Sequence, residues 1–182
     1  IIYGRAVNVT KVTEDVYAME GTPADCVAFG LSSLNKKFDL VISGCNAGLN
    51  LSWDVLYSGT IGACLESLMY RIPAVAFSTK EEHFQIVENY FERVMDYILE
   101  NKLLSTEYLL NVNFPVSSEP KGINITNVHY RCEEENTYYI KQGENMYFAL
   151  RDIKDEVCED EDSDVFAVHN SYISISKLRK II

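Results

Sequence analysis

The sequence has little of what usually marks a zinc centre, a disulfide framework or a nucleic-acid surface. It holds three histidines, His83, His129 and His169. None has a histidine partner two to four residues away, so surface or core placement fits each better than a metal or catalytic role. The cysteines Cys26, Cys45, Cys64, Cys132 and Cys158 are odd in number and include no C-x-x-C pair. That spacing argues against disulfides and zinc, and for ordinary reduced thiols. Basic residues are outnumbered, 16 against 27 acidic, giving a formal charge of -11. Tight binding to duplex nucleic acid needs the opposite balance. No apolar run reaches the roughly 18 residues that suggest a membrane span. Ile1-Ile2-Tyr3-Gly4-Arg5 is not the pattern of a secretory signal. The sequons at Asn8, Asn50 and Asn124 therefore read as chance, and the expected compartment is the cytoplasm. The first residue is not Met, which suggests an amino terminus that is truncated, processed or unseen.

The 182 residues suffice for one substantial core and are short for two. Nearly half are apolar (47%), which argues against disorder. Arg5–Val12 and Val16–Met19 read as strands. Gly21-Thr22-Pro23-Ala24-Asp25 reads as a helix start: Thr22 as N-cap, Pro23 in the first turn, Asp25 on the positive end of the dipole. Val27, Leu31 and Leu34 continue that helix, and Lys36-Lys37-Phe38-Asp39 closes it. Leu40–Ser43 reads as a buried parallel strand, followed by a polar loop from Gly44 to Tyr57. A helix over Ser58–Arg71, a buried strand over Ala74–Phe77, an amphipathic helix over Glu81–Lys102 and a strand over Leu109–Asn113 follow. In the helix over Glu81–Lys102 the apolar face is Phe84, Val87, Phe91, Val94 and Ile98. Alternating helix and strand over 20–115 predicts an α/β fold with a mostly parallel sheet. Beyond it, Ile123–Tyr130, Thr137–Lys141, Tyr147–Leu150, Val165–Val168 and Tyr172–Ser176 read as short strands. They form a β-rich extension of the same domain, with the character of an arm that pairs with a partner chain.

The stretch that carries chemistry is Ser43-Gly44-Cys45-Asn46-Ala47-Gly48-Leu49-Asn50, then Asp54 and Tyr57-Ser58-Gly59-Thr60. A strand ends at Ser43, and the following loop lies at the carboxyl end of the sheet, where open α/β proteins bind ligands. Free backbone N–H groups at the next helix start, with two hydroxyls and the dipole, make an anion site. Gly59 lets backbone approach a ligand. Asn46 and Asn50 offer amides that can bind a phosphate oxygen or a hard metal. Each feature has a plainer reading: Ser58 as an ordinary N-cap, and the two asparagines as turn formers.

Four blocks, in order, resemble the SurE family of stationary-phase survival proteins. Gly21–Val27 is similar to its G-T-P-A-D-C-V. Ser43-Gly44-x-Asn46-x-Gly48-x-Asn50 with Asp54, Tyr57, Ser58, Gly59 and Thr60 resembles S-G-x-N-x-G-x-N-x-G-x-D-x-x-Y-S-G-T. Asn111-Val112-Asn113-Phe114-Pro115 is similar to N-V-N-x-P, and Asp164–Val168 with Tyr172–Ile175 to the last strands. The resemblance implies a Rossmann-like, mostly parallel sheet with flanking helices and a carboxy-terminal extension exchanged in dimers or tetramers. Residues 1–116 then form the α/β core and 117–182 the oligomerisation arm of one domain. It implies a phosphatase acting on nucleoside 5′- and 3′-monophosphates, an acid phosphatase or nucleotidase with one divalent metal, Mg²⁺ or Mn²⁺, per subunit. Asn50 would be a metal ligand, Ser58, Gly59 and Thr60 would bind phosphate, and Asn46 would lie beside the reacting phosphate. Asn46 and Ser58 are the catalytic candidates.

The sequence departs from the family in lacking the paired aspartates of an amino-terminal N-D-D-G and the loop serine that complete the metal shell. Asp15 and Asp39 do not replace them. The expectation is therefore that amino-terminal strands precede this sequence in its parent, that residues 1–182 alone are inactive, and that a parent carrying N-D-D-G is active. A sheet without its first central strand would also leave unpaired edges, a liability in solution. Ser52 and Ser67 stand where the family prefers glycine, and Ser176-Lys177 where Thr-Pro is usual. Asp160-x-Asp162-x-Asp164 fails as a calcium loop, because Val165 and Ser171 occupy the glycine and glutamate positions. Asp152–Asp164 reads instead as a solvated acidic loop. Tyr3, Tyr17, Tyr57, Tyr138 and Tyr139 could stack a base or simply pack. Two other functions stay open: a phosphate- or nucleotide-binding module without a metal, and a structural oligomer.

Overall fold

The computed structural model describes residues 1–2, 4–129, 137–142, 145–150 and 158–179, with 137–142 and 145–150 described by their backbone. Tyr3, Tyr130, Cys132, residues 152–157 of the acidic stretch, and the side chains of Tyr138 and Tyr139 lie outside the described residues.

The chain opens with a short antiparallel hairpin, β1 (Val9–Lys11) and β2 (Tyr17–Met19), in register Val9↔Met19. The strand expected from Arg5 is thus three residues long. Helix α1 (Pro23–Ser33) starts as expected. Thr22 Oγ1 accepts from the Asp25 N–H, and the Asp25 carboxylate accepts from the Thr22 N–H at 2.8 Å. This is a reciprocal capping box. The carboxylate also accepts from Thr22 Oγ1 and from the Ile2 N–H.

Five strands then form the main sheet, in the order β3 (Val41–Ala47), β4 (Ala74–Thr79), β5 (Tyr108–Asn113), β9 (Ile173–Arg179), β6 (Ile123–Thr126). Three of the four pairings are parallel, and β5 with β9 is antiparallel. Between them run a 3₁₀ turn (Ser52–Leu56), α2 (Gly59–Met69), α3 (Phe84–Glu100) and α4 (Asp164–His169). The hairpin β7 (Thr137–Gln142) and β8 (Asn145–Leu150) makes a separate two-stranded sheet.

Period-two alternation in the central strands sorts two cores onto the two faces. Val75, Phe77, Leu110, Val112, Ile173 and Ile175 pack against α3 through Ile86, Val94 and Ile98. On the other face Ala74, Ala76 and Leu109 meet Ile61, Cys64 and Leu68 of α2. Phe84, expected on the buried stripe of α3, is 39% exposed, and Ile86 takes the core position.

Three expectations are corrected. First, β3 is not a fully buried strand. No described strand pairs with its outer side, and Ile42 is 47% exposed. The strand also runs on into the expected loop, as far as Ala47, through a register shift between Ser43 and Asn46. Gly44 makes this possible: its φ is +117°, and a Cβ there would meet the Phe77 carbonyl oxygen at 2.3 Å. Second, Val165–Val168 is helix rather than strand. Ser163 Oγ accepts from the Phe166 N–H at 3.1 Å and caps α4, and Val165, Ala167 and Val168 are buried on it. Third, Asp164 is not part of a solvated loop. It is wholly buried, and its carboxylate accepts from the backbone N–H groups of Ser52, His129 and Val165 at 2.9–3.0 Å. Burial pushes its carboxyl above the usual range even so, with the three N–H donors pulling the other way.

Candidate active site at the carboxyl ends of β3, β4 and β5

The crossover from β3 to β4 joins neighbouring parallel strands, so α2 runs back along the sheet and its amino terminus sits at the carboxyl end of β3. That places Ser58, Gly59 and Thr60 at the same edge as Asn46 and the loop carrying Asn50. Ser58 is the N-cap: its Oγ accepts from the Ile61 N–H at 3.2 Å. The ordinary capping role is therefore real, and it leaves the hydroxyl hydrogen to donate elsewhere. The first N–H groups of the helix, Gly59 and Thr60, are those that an anion can take up. Thr60 is buried, at 8% exposed. Gly59 has a packing reason beside any ligand reason. A Cβ there would lie 3.2 Å from Pro23 Cγ, so the first turns of α1 and α2 meet at this glycine.

Asn46 is paired in register with Ser78 of β4, and its Nδ2 donates to the Gly48 carbonyl at 2.8 Å. This local bond is the turn-forming role, and it leaves the Asn46 carboxamide oxygen for a ligand. Asn50 is almost wholly buried (3% exposed), and its Nδ2 donates to Ser78 Oγ at 2.6 Å. Ser78 thus lies in register with Asn46 and is hydrogen-bonded to Asn50. Asn50's main chain is held by residues that motif reading left without a role, Asn111 and Asn113 of β5. Their signal was visible in the sequence: N-V-N in a buried strand puts two amides on one face, where a polar side chain is costly unless paired. Tyr57, by contrast, is 73% exposed and Tyr17 meets Phe29 edge-on at 5.5 Å, so the two play different parts. Asp54, within the 3₁₀ turn, belongs to the segment that links Asn50 to Ser58.

A divalent metal suits this site in part. The Asn50 carboxamide oxygen is a hard neutral donor of the kind Mg²⁺ and Mn²⁺ accept. Among the described residues no group of three His, Cys, Asp or Glu side chains could hold a metal ion. The residues described here would thus supply one ligand of such a shell and not the carboxylates that complete it.

A profile of the family described as Survival protein SurE matches residues 2–135. The chain belongs to the SurE family. Relatives called 5′-nucleotidase SurE include one from Thermoanaerobacter sp. (strain X514), 37% identical over 185 residues, covering 92% of this chain and 70% of the relative. Another, from Acinetobacter baylyi (strain ATCC 33305 / BD413 / ADP1), is 34% identical, covering 93% and 72%. Among solved structures, the SurE protein from Aquifex aeolicus superposes with a TM-score of 0.83 at 30% identity, over 100% of this chain and 77% of that one. The Rossmann-like α/β architecture expected from the SurE motifs is therefore the architecture found. No helix among the described residues is long and apolar enough to cross a membrane.

Proposed function

We propose that this SurE chain is the greater part of a phosphatase that hydrolyses nucleoside 5′-monophosphates, and 3′-monophosphates as well, to nucleoside and phosphate. The observation that carries the reading is the convergence of the α2 amino terminus with Asn46 and Asn50 at the carboxyl ends of the parallel strands. The 5′-nucleotidase name of its relatives points the same way.

In this reading the backbone N–H groups of Gly59 and Thr60 and the Ser58 hydroxyl hold the phosphoryl oxygens. The helix dipole stabilises negative charge there. These donors are fixed before the substrate arrives, because the Ser58 cap and the Gly59–Pro23 contact set the start of α2. Preorganised donors of this kind act where charge develops in the transition state. Asn46, held by its bond to Gly48, orients the phosphate from the strand side. The reading includes one Mg²⁺ or Mn²⁺, with Asn50 among its ligands and carboxylates outside the described residues completing the shell. When bound, such an ion supplies Lewis-acid neutralisation of the phosphoryl oxygens.

The reading also places the enzyme in the cytoplasm and in a homodimer or homotetramer built through residues 117–182. A two-stranded hairpin such as β7–β8 is marginal in isolation, which favours its pairing in an assembly.

The test is phosphate release from AMP by the full native protein with Mn²⁺. Wild type is expected to turn over, and Ser58→Ala is expected to lose on the order of 10²-fold in kcat, the usual cost of one preorganised donor. Absence of phosphate release by the wild type would remove the phosphatase reading.

A further inference from the structure

The loop between β3 and α2 makes an excursion across the end of the sheet. It leaves β3 at one end of the strand order, and it has to come back, because α2 packs on Val41 of β3 as well as on Ala74, Ala76 and Leu109. On the way out it passes the end of β5, where the Asn111 and Asn113 side chains hold the Asn50 main chain. It then reaches Asp164, whose Oδ2 accepts from the Ser52 N–H at 3.0 Å. Asp164 is itself anchored beside β6, the strand at the opposite end of the order. Its N–H donates to the Asn127 carbonyl at 2.9 Å, and its Oδ1 accepts from the His129 N–H at 3.0 Å. Ser52 is where the loop turns back. Its φ of +53° lies in the left-handed region, and the 3₁₀ turn that starts there leads to the Ser58 cap of α2.

The carboxylate of Asp164 is more than α4 needs. Ser163 already caps that helix through the Phe166 N–H. A buried charge is costly unless its lone pairs are met. Asp164 is wholly buried, and three backbone N–H groups meet its charge, two of them from 112 and 35 residues away. Apolar contacts hold the same loop, with Leu51 against Val165 and Val168 and Leu49 beside them. Such contacts are non-directional, so they give adhesion without a set position. A hydrogen bond to a carboxylate is short and strong, and it fixes one atom of the loop, the Ser52 nitrogen.

We propose that Asp164 is a positioning residue for the phosphate-binding turn: by holding the Ser52 N–H it sets where the loop after β3 turns back, and so where Ser58, Gly59 and Thr60 begin α2. The role rests on the reading of that helix start as the phosphate site. Asp164 acts through Ser52 and lies outside that site.

The experiment compares the full native protein with its Asp164→Asn variant. Asparagine has one acceptor oxygen. Turned towards His129 and Val165 it satisfies two N–H groups, which leaves its NH₂ against the Ser52 N–H and breaks that tie alone. Hydrogen exchange read by mass spectrometry should rise over residues 47–57 and hold over α4 and β6. With AMP and Mn²⁺, kcat/KM should fall by about 10²-fold, the cost of roughly 1 Å of misplacement set from a distance. Product inhibition by inorganic phosphate should weaken with it. Val94→Ala, in the core under α3, is the stability control, expected to lower Tm and to leave kcat/KM and phosphate inhibition as they are. Wild-type exchange over 47–57 in Asp164→Asn, or wild-type kcat/KM, would overturn the proposal. An equal loss of kcat/KM in Val94→Ala would overturn it too, since general destabilisation would then account for the effect. If the wild type releases no phosphate from AMP, the nucleotidase reading fails on its own. Calorimetric titration with inorganic phosphate then decides the positioning role, which stands if Asp164→Asn binds phosphate more weakly and falls if the two proteins bind it alike or not at all.

Discussion

Ser52 stands two residues after Asn50 and stores strain that a single substitution should release. Its φ is +53°, in the left-handed region, and its hydroxyl is buried with no hydrogen-bond partner among the described residues. An L residue in that region costs about 1–2 kcal/mol. A buried hydroxyl left unpaired costs about 1–3 kcal/mol more. Glycine removes both and gives back about 0.5–1 kcal/mol through the extra freedom of the unfolded chain. It also keeps the N–H that donates to Asp164 Oδ2 at 3.0 Å, so the tie between this loop and α4 survives. The balance favours Ser52→Gly by about 2 kcal/mol, and for a chain of this size that raises Tm by about 4–8 °C. Ser52→Ala is the informative control. It removes the hydroxyl but leaves the left-handed backbone with its Cβ, so it should recover only the hydroxyl part. Calorimetry or thermal circular dichroism reads both variants. If Ser52→Gly leaves Tm unchanged or lowers it, the claim that this turn is strained is wrong. The family's glycine at this position would then need another reason.

Two further outcomes follow from ionisable groups. The Thr22 hydroxyl and the backbone N–H groups of Ile2 and Thr22 hold the Asp25 carboxyl at a pKa of about 2, below its ordinary 3.8. A depressed folded-state pKa gives stability that is present above the unfolded value and lost as pH falls through the folded one. The urea midpoint of wild type should therefore drop between about pH 4 and pH 2 by more than that of Asp25→Asn; equal acid limbs would contradict the capping box. Among the thiols, Cys26 is exposed, whereas burial pushes Cys64 up to about 12 and Cys45 up to about 11. Iodoacetamide at mildly alkaline pH, followed by peptide mapping, should modify Cys26 in the native protein and spare Cys64 until the protein unfolds. Early modification of Cys64 would show that the α2 face opens more readily than its packing implies.

The parallel half of the fold was legible because its signals are local and agree with one another. Thr22-Pro23-Ala24-Asp25 carries a cap, a first-turn proline and an N-terminal acid in four residues, and α1 begins there. Ala74–Thr79 is apolar and then hydroxylic, short, and followed by a polar break, and it is buried along its whole length. The failures came where two signals competed. In Asp164-Val165-Phe166-Ala167-Val168, β-branched and aromatic residues speak for a strand. The Ser163 cap and the burial of Val165 with Val168, three apart, make one and a half turns of helix instead. Such a short helix has too little periodicity to outvote propensity, and what decides it is the Asp164 carboxylate, bound to N–H groups of Ser52 and His129 far away in sequence. Contacts across 35 and 112 residues leave no trace in a sliding window.

The candidate site was legible in a different way. Asn46, Asn50, Ser58, Gly59 and Thr60 could be named because they fall within 15 positions on one strand–turn–helix crossover, where spacing and sheet polarity imply one edge. What holds them could not be read so directly. Ser78 ends a strand that reads as plain core, and only the β3–β4 register sets it against Asn46 while the loop brings Asn50 back onto it. Asn111 and Asn113 lie more than 60 residues from the main chain they clamp. Yet one physical cue was present throughout. A strand that is otherwise buried, but which alternates two asparagines on one face, calls for partners for two carboxamides, and the sheet itself cannot supply them because its own N–H and C=O groups are already paired. The partner has to be an irregular segment with free main-chain groups, and the segment nearest a strand's carboxyl end is a ligand loop. Buried asparagines in the last residues of such a strand therefore point from the core toward the site, and in this chain they bind the main chain of Asn50.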